Sequence, residues 1–279
     1  MADQQQPTVW VDGRVLDDPR EPVIRVDDHG FTVGDGVFEA VKVVDGVPFA
    51  LTRHLRRLER SAAGLGLPPV DEDAVRRGVA EVLERRHLPF GRLRITVTAG
   101  PAPMGSGRGD ASPTLVVAAV EAQQRTGRAS VVTVPWPRNE RGAVAGLKTT
   151  SYAENVVALA YAAERGAEEA VFGNLAGHLC EGTGSNVFYV VDGELRTPTL
   201  ASGCLAGITR ELLVEWCGAR EVDEPLVVLS RAEEVFLAST TRDVQPVARC
   251  DDREWDDVGP VTRAAAETWR AREAEHPDP

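Results

Sequence analysis

The sequence predicts an α+β protein of two domains, and three observations carry that expectation. Asp-Gly pairs at Asp12-Gly13, Asp45-Gly46 and Asp192-Gly193 each sit inside a β-rich segment: "TVWVDGRVL", "AVKVVDGVPFAL" and "NVFYVVDGELRT". Asp-Gly supplies the positive φ angles of a tight type I′ turn, so each segment reads as an antiparallel hairpin, and a purely parallel sheet is excluded. Amphipathic helical stretches lie between the hairpins. The polar joint "EAQQRTGR" then divides the chain into a smaller domain, 1–121, a linker, 122–128, and a larger domain, 129–279. The three turns fall at unequal intervals, which argues against an internal repeat.

Taken in order, "TRHLRRLERSAAGLGL" places Leu55, Leu58, Ala62 and Leu65 on one helical face, with Gly64 and Gly66 ending the helix. "DEDAVRRGVAEVLERR" is a second amphipathic helix with acidic residues in its first turn, where they meet the positive end of the helix dipole. Strands "RLRITVTAG" and "PTLVVAAVEA" flank the Gly/Pro/Ser-rich loop "PAPMGSGRGDASP". Past the joint come strand "ASVVTVPW", a loop to Lys148, a helix, a strand near "EEAVFGN", the third hairpin, and helix "TRELLVEW". Ser151 and Glu154 form Ser-x-x-Glu, a capping-box pattern that places a helix start at Ser151. Ala153, Val156, Val157 and Ala160 follow at the spacing of a buried stripe.

With 43% hydrophobic and 27% charged residues in a chain of 279, the composition is globular. A net charge of −12, spread along the chain, excludes the concentrated basic face a nucleic-acid partner requires. No apolar run approaches the roughly 20 residues that span a bilayer. "MADQQQPTVW" has neither a basic nor an apolar leader region, and Cys180, Cys204, Cys217 and Cys250 form no disulfide or metal framework. The expectation is a cytoplasmic protein without membrane or nucleic-acid partners. His29 and His54 read as ordinary polar side chains and not as metal ligands.

Two places in the chain raise a chemical question. Lys148 is the one charged residue between Arg141 and Glu154, three residues ahead of the expected helix. Position alone favours a solvated loop lysine, while desolvation or a neighbouring cation would make its amine reactive. The second place is "CEGTGSNVFYVVDGELRTPTLASGCLAGITRELLVEW". Glu181 there is either a solvated loop carboxylate or a ligand. "LAGITR" is either an ordinary loop-to-helix junction or an anion site built from the amides at a helix start near Ile208 and Thr209.

Taken together, Glu-x-Thr-x-x-Asn-Val-Phe, then Leu-x-Thr, then Leu-x-Gly-Ile-x-Arg resembles the signature of the class IV aminotransferases. The resemblance runs unbroken from Glu181 to Arg210 and extends to "GDGVFEAVKV", "HLRRL", "LKTTSY" and "STTRDVQPV", so nearly the whole chain is covered in family order. It implies a fold-type IV enzyme: a small N-terminal α/β sandwich, a larger barrel-like C-terminal domain with helices, and pyridoxal 5′-phosphate as cofactor. It also implies a homodimer, with the active site between the domains and completed by a partner loop.

By resemblance, Lys148 carries the cofactor and moves the substrate α-proton. Glu181 stands at the ring nitrogen and keeps it protonated. Arg57 looks like the phosphate arginine, a register that comes from the family match and not from the neighbouring Arg53 and Arg56. Ile208 and Thr209 would add backbone amides, Thr240 a hydroxyl, and Tyr152 a contact to the cofactor's phenolic oxygen. Arg94 stands where branched-chain enzymes carry an arginine near the substrate, and Thr241 lies in a turn linked to the substrate carboxylate. In that turn Ser239 replaces the glycine of many branched-chain enzymes. Ala40 follows Phe38-Glu39 where the branched-chain pattern usually has glycine. With the compact length, this tilts the expectation toward 4-amino-4-deoxychorismate lyase, releasing pyruvate and p-aminobenzoate for folate synthesis. The alternative is an aminotransferase acting on branched-chain or D-amino acids.

Overall fold

The computed structural model describes residues 6–279. These form two compact units. One runs to Gln124 and includes Leu147–Tyr152 and Pro277–Pro279; the other comprises Arg125–Gly146 and Ala153–His276. The division at Gln124 lies within the 122–128 joint. The segment bearing Lys148, which the sequence reading assigns to the second domain, belongs to the first unit. The reason is hydrogen bonding: Phe38 N donates to Lys148 O at 3.0 Å and Thr150 N to Gly36 O at 2.8 Å, which pairs the segment with a strand of that unit.

In the first unit β1 (Thr8–Val11), β2 (Arg14–Val15), α1 (His29–Thr32), β3 (Gly36–Val44), β4 (Val47–Pro48), α2 (Leu51–Leu65), α3 (Glu72–Arg85), β5 (Phe90–Thr98) and β6 (Thr114–Glu121) follow in order. The strands make a six-stranded sheet, β2-β1-β6-β5-β3-β4, with every pair antiparallel. Both Asp-Gly hairpins form, with Asp12, Gly13, Asp45 and Gly46 all at positive φ. Strand alternation sends Val37, Val41, Val43, Leu93, Ile95 and Val97 to one face, where Leu55, Leu58 and Ala62 of α2 and Val75, Val79 and Val82 of α3 cover them. Each such buried aliphatic side chain contributes about 1.5–3 kcal/mol of transfer free energy. The opposite alternation, Phe38 and Ala40 with Arg94 and Thr96 in register, points away from the helices.

Gly66 alone ends α2, at φ 74, with its N–H on Ala62 O and Ala63 O. Gly64 instead lies inside the helix, where a Cβ would come within 2.7 Å of Leu147. At the other end Ala50 offers no side-chain cap. Asp278 supplies one from the far end of the chain, accepting from Thr52 N at 2.9 Å and Thr52 Oγ1 at 2.6 Å.

The second unit holds β7 (Ala129–Thr133), α4 (Ala153–Glu164), β8 (Glu169–Gly173), β9 (Leu179–Gly182), β10 (Asn186–Val191), β11 (Glu194–Thr197), α5 (Ile208–Cys217), β12 (Arg220–Glu221), α6 (Val228–Arg231), β13 (Glu234–Ser239), β14 (Asp243–Cys250), β15 (Arg253–Glu254) and α7 (Pro260–Glu275). Its mixed sheet runs β12-β11-β10-β13-β14-β7-β8-β9, with β15 on β14. The third hairpin forms as expected, with Asp192 and Gly193 both at positive φ.

Two sequence expectations fail at α4. The helix begins at Ala153, not Ser151, and the capping box is not made: Ser151 Oγ donates to Gly34 O at 3.0 Å, and Glu154 meets Arg138 at 3.0 Å. The stripe is also rotated. Asn155, Ala158 and Ala162 are buried, whereas Val156 and Val157 are 64% and 53% exposed. Small residues let the helix lie close to the sheet, so steric fit overrides hydrophobicity in choosing the face. Helix α7 has no capping residue in its own sequence. Glu234 of β13 caps it, accepting from Thr262 N at 2.7 Å and Val261 N at 3.1 Å, and Gly259 leaves the room that contact needs.

Candidate functional site

In the first unit Lys148, Arg94 and Tyr152 gather around Phe38, which points from the open face of the sheet. Main-chain pairing with β3 and a hydrogen bond from Lys148 N to Ser61 Oγ of α2, at 3.2 Å, fix Lys148. Its ammonium lies 4.4 Å from the centroid of the Phe38 ring. The Arg94 guanidinium lies 3.9 Å from the same centroid, and Tyr152 packs edge-on against that ring at 5.3 Å. One phenylalanine thus seats an amine, a guanidinium and a phenol, with each cation on the electron-rich ring. Ala40 is directly opposite Arg94 across the strand pair.

Arg57 lies on the helix side of the same sheet and is 4% exposed. Glu39, wholly buried, accepts from its Nε at 2.8 Å and Nη2 at 2.6 Å and pairs with His54 Nδ1 at 2.7 Å. Burial by itself would raise the Glu39 pKa, but the Arg57 charge and hydrogen bonds, with His54, hold it down at about 2. His54 is shifted below its ordinary value, chiefly by burial, so it is neutral beside the carboxylate. The planar guanidinium is thereby fixed in orientation. Arg56 is exposed, and Arg53 reaches Pro279 O at 2.9 Å.

The second unit builds around a loop and a helix start. Glu181, on β9, accepts from Leu205 N at 2.9 Å through Oε2 and pairs with Arg138 Nε, 3.4 Å from Oε1. Asn186 Nδ2 donates to Leu205 O at 2.9 Å, so one carboxylate and one amide side chain hold the strip leading into α5. Gly207 caps α5 with no side-chain bond, and a Cβ there would fall 2.0 Å from Asn186 Oδ1. Ile208 and Thr209, both buried, are the first residues of the helix, where backbone N–H groups lack intrahelical partners and the dipole favours an anion. Thr240 and Thr241, both half-buried, form the β13–β14 turn with Arg242. Arg242 donates to Glu169 at 3.1 Å. Glu169 also accepts from Thr183 N at 3.0 Å and Ser185 Oγ at 3.2 Å.

Lys148, Tyr152 and Arg94 are therefore brought together in one unit, and Glu181, Ile208 and Thr209 are tied together in the other. Sequence reading missed the residues that orient them: Glu39, His54, Arg138, Glu169 and Asn186. One signal was present for Glu39, a lone acidic residue at an inward position of the strand Val37–Val43. No local pattern marks Arg138 or Glu169, whose partners are distant in sequence. Among the described residues no group of three or more His, Cys, Asp or Glu is placed to hold a metal, and no helix is long and apolar enough to cross a membrane.

The profile of the family described as "Amino-transferase class IV" matches residues 36–250. A protein of Methanocaldococcus jannaschii with the provisional name branched-chain-amino-acid aminotransferase is 31% identical over 274 residues, covering 94% of this chain and 95% of its own. The D-alanine aminotransferase of Staphylococcus haemolyticus is 30% identical, covering 93% and 95%. A hypothetical aminotransferase from Mycobacterium tuberculosis, solved in a PLP-bound form, superimposes with a TM-score of 0.85 at 28% identity, covering 95% and 98%. A provisionally named 4-amino-4-deoxychorismate lyase from Legionella pneumophila gives 0.84 at 24% identity, covering 92% and 97%, a likeness of fold alone.

Proposed function

We propose a transaminase, on the premise that the chain belongs to the class IV aminotransferase family and uses pyridoxal 5′-phosphate. It would move the amino group between an amino acid, branched-chain L-amino acids first, and a 2-oxo acid. The observation that carries this reading is the shared seat of Lys148 and Arg94 on the Phe38 ring, where a guanidinium that would bind a carboxylate contacts the same ring as the amine. The two relatives described above, 31% and 30% identical over nearly the whole chain, are both transaminases by name, one branched-chain and one D-alanine.

The residues fit the cofactor. A helix start whose cap offers no side-chain bond suits a phosphate dianion, and a carboxylate held by a backbone amide suits a protonated ring nitrogen. When bound, pyridoxal phosphate supplies an electron sink. Lys148 would carry it through Nζ and later hold and return the substrate α-proton at that atom. Glu181 would hold the proton at the ring nitrogen, Arg57 and Thr240 would bind the phosphate with the Ile208 and Thr209 amides, and Tyr152 would meet the phenolic oxygen. Arg94 and Thr241 would orient the substrate carboxylates. A homodimer fits the exposed apolar face of α4, where Val156, Val157 and Leu159 have no cover.

The lyase is the second reading, favoured by Ala40, whose methyl narrows the face beside Arg94 where the branched-chain pattern has glycine. The test mixes cofactor-loaded protein with one amino acid at a time and no oxo acid, following loss of visible absorbance and the oxo acid released. L-leucine, L-valine or L-isoleucine giving one equivalent of oxo acid supports the proposal, and response to D-alanine alone moves the substrate to the D-series. Sustained equimolar pyruvate and p-aminobenzoate from aminodeoxychorismate, with no response to either amino-acid series, replaces it with the lyase.

A further inference from the structure

We infer that Arg138 is a positioning residue that keeps Glu181 ionised, so that the shared proton stays on the cofactor ring nitrogen and not on the carboxylate. This rests on the reading of Glu181 above. Arg138 Nε lies 3.4 Å from Glu181 Oε1. It is shielded from solvent and makes no hydrogen bond. The contact is therefore a through-space ion pair, and Coulomb attraction is its whole content.

Its surroundings hold the guanidinium there. Its Cζ sits over the Phe172 ring, 4.1 Å from the centroid. Arg138 N donates to Gly173 O at 2.7 Å. Nη1 donates to Asn155 Oδ1 at 2.9 Å and Glu154 Oε2 at 3.0 Å. Asn155 is itself fixed by a bond from Nδ2 to Thr183 O at 2.8 Å. Arg138 is thus clamped from β8, from α4 and, through Asn155, from the loop after β9. The guanidinium carbon lies over an aromatic ring, and Nε is directed toward Glu181.

The chemistry follows from where the charge sits. A carboxylate beside a protonated ring nitrogen can take that proton and leave both groups neutral, which weakens the electron sink. A cation beside Glu181 Oε1 favours the ionised carboxylate and so opposes that transfer. Three titratable groups near this pair, Cys180, Cys204 and Glu154, leave that effect in place. Burial first, and then the Glu181 charge, raise the pKa of Cys180 and push that of Cys204 up to about 11, so both are neutral thiols. Glu154, exposed to solvent, faces the other end of Arg138.

The test is the pH midpoint of the visible absorbance of the lysine-bound cofactor in the full-length holoenzyme. A proton on the ring nitrogen draws electrons from the C=N nitrogen and lowers that midpoint. Glu181→Gln, which removes the carboxylate, raises it. Arg138→Met, long and apolar enough to keep the Phe172 contact, is expected to raise it by about one pH unit, with cofactor stoichiometry and the thermal midpoint unchanged. Arg138→Lys restores the parental value, and Arg138→Gln repeats the shift should the Met variant fold poorly. In the half-reaction, Arg138→Met lowers kcat about tenfold with little change in KM. A parental midpoint in both neutral variants, with Glu181→Gln shifted, overturns the inference and leaves the Glu181 reading standing. A parental midpoint in Glu181→Gln overturns both. A shift that Arg138→Lys fails to reverse assigns Arg138 to packing.

Discussion

In the first unit the Glu39 carboxylate is fully buried and held by two side chains, Arg57 and His54; in the second, Glu181 is 14% exposed and held by the Leu205 amide and one arginine. The first arrangement is an ion-pair cluster without water, strong while intact and costly once a partner or a proton changes. The second depends on a backbone path set by Asn186 and Gly207. It tolerates charge changes better than it tolerates a new Cβ. The difference teaches where each unit is fragile: the first in its protonation, the second in its backbone space.

The largest expected break lies outside both clusters and sets the scale for them. Lys148→Ala should abolish the visible cofactor absorbance and lower turnover by at least about 10³-fold; turnover near the parental rate would remove Lys148 from the reaction. Next, Glu39→Gln should destabilise the fold by about 3–5 kcal/mol at neutral pH in denaturant titration, because it removes the buried negative charge that Arg57 and His54 face. It should also lower cofactor affinity through misplacement of Arg57.

The pH dependence sharpens the same contrast. The Glu39 pKa is depressed in the fold, so its stabilisation is complete above the unfolded value of 4.5 and is lost as pH falls from there toward about 2, amounting to about 3 kcal/mol. His54 is also depressed, from 6.5. Below that pH the unfolded chain takes up the proton first, and stability falls in the same direction. Denaturant midpoints across pH 7 to 3 should decline in the parent and decline less in Glu39→Gln. Parallel curves would mean that acid lability arises elsewhere.

In the second unit Gly207→Ala should cost about 1–3 kcal/mol, since its Cβ would meet Asn186 Oδ1 at 2.0 Å and push the helix start outward. Phosphate-dependent cofactor affinity should fall with it. An equally stable, equally tight-binding variant would show that the loop relaxes without loss. The smallest effect belongs to Thr240→Val, where loss of one hydroxyl contact should weaken cofactor binding by about 1 kcal/mol in equilibrium dialysis, with stability unchanged.

The amino-acid sequence by itself determined the local features. Asp-Gly fixes three hairpins because its two residues adopt positive φ at low steric cost. The Leu55–Leu58–Ala62 spacing fixes the buried face of α2. The motif from Glu181 to Arg210 marked the start of α5 and the family. Only the tertiary structure decided what depends on partners far along the chain. It placed Lys148 with the first unit through pairing with β3, turned Val156 and Val157 of α4 to solvent, and gave the caps of α2 and α7 to Asp278 and Glu234. It also set Arg138 against Glu181, 43 residues away in sequence. Turn conformation and helix periodicity are set by the dihedral preferences and spacing of adjacent residues. A cap, an ion pair or a buried face goes to whichever group the folded chain brings within reach, and a hydrogen bond or a close packing contact acts over a few ångströms whatever the distance in sequence.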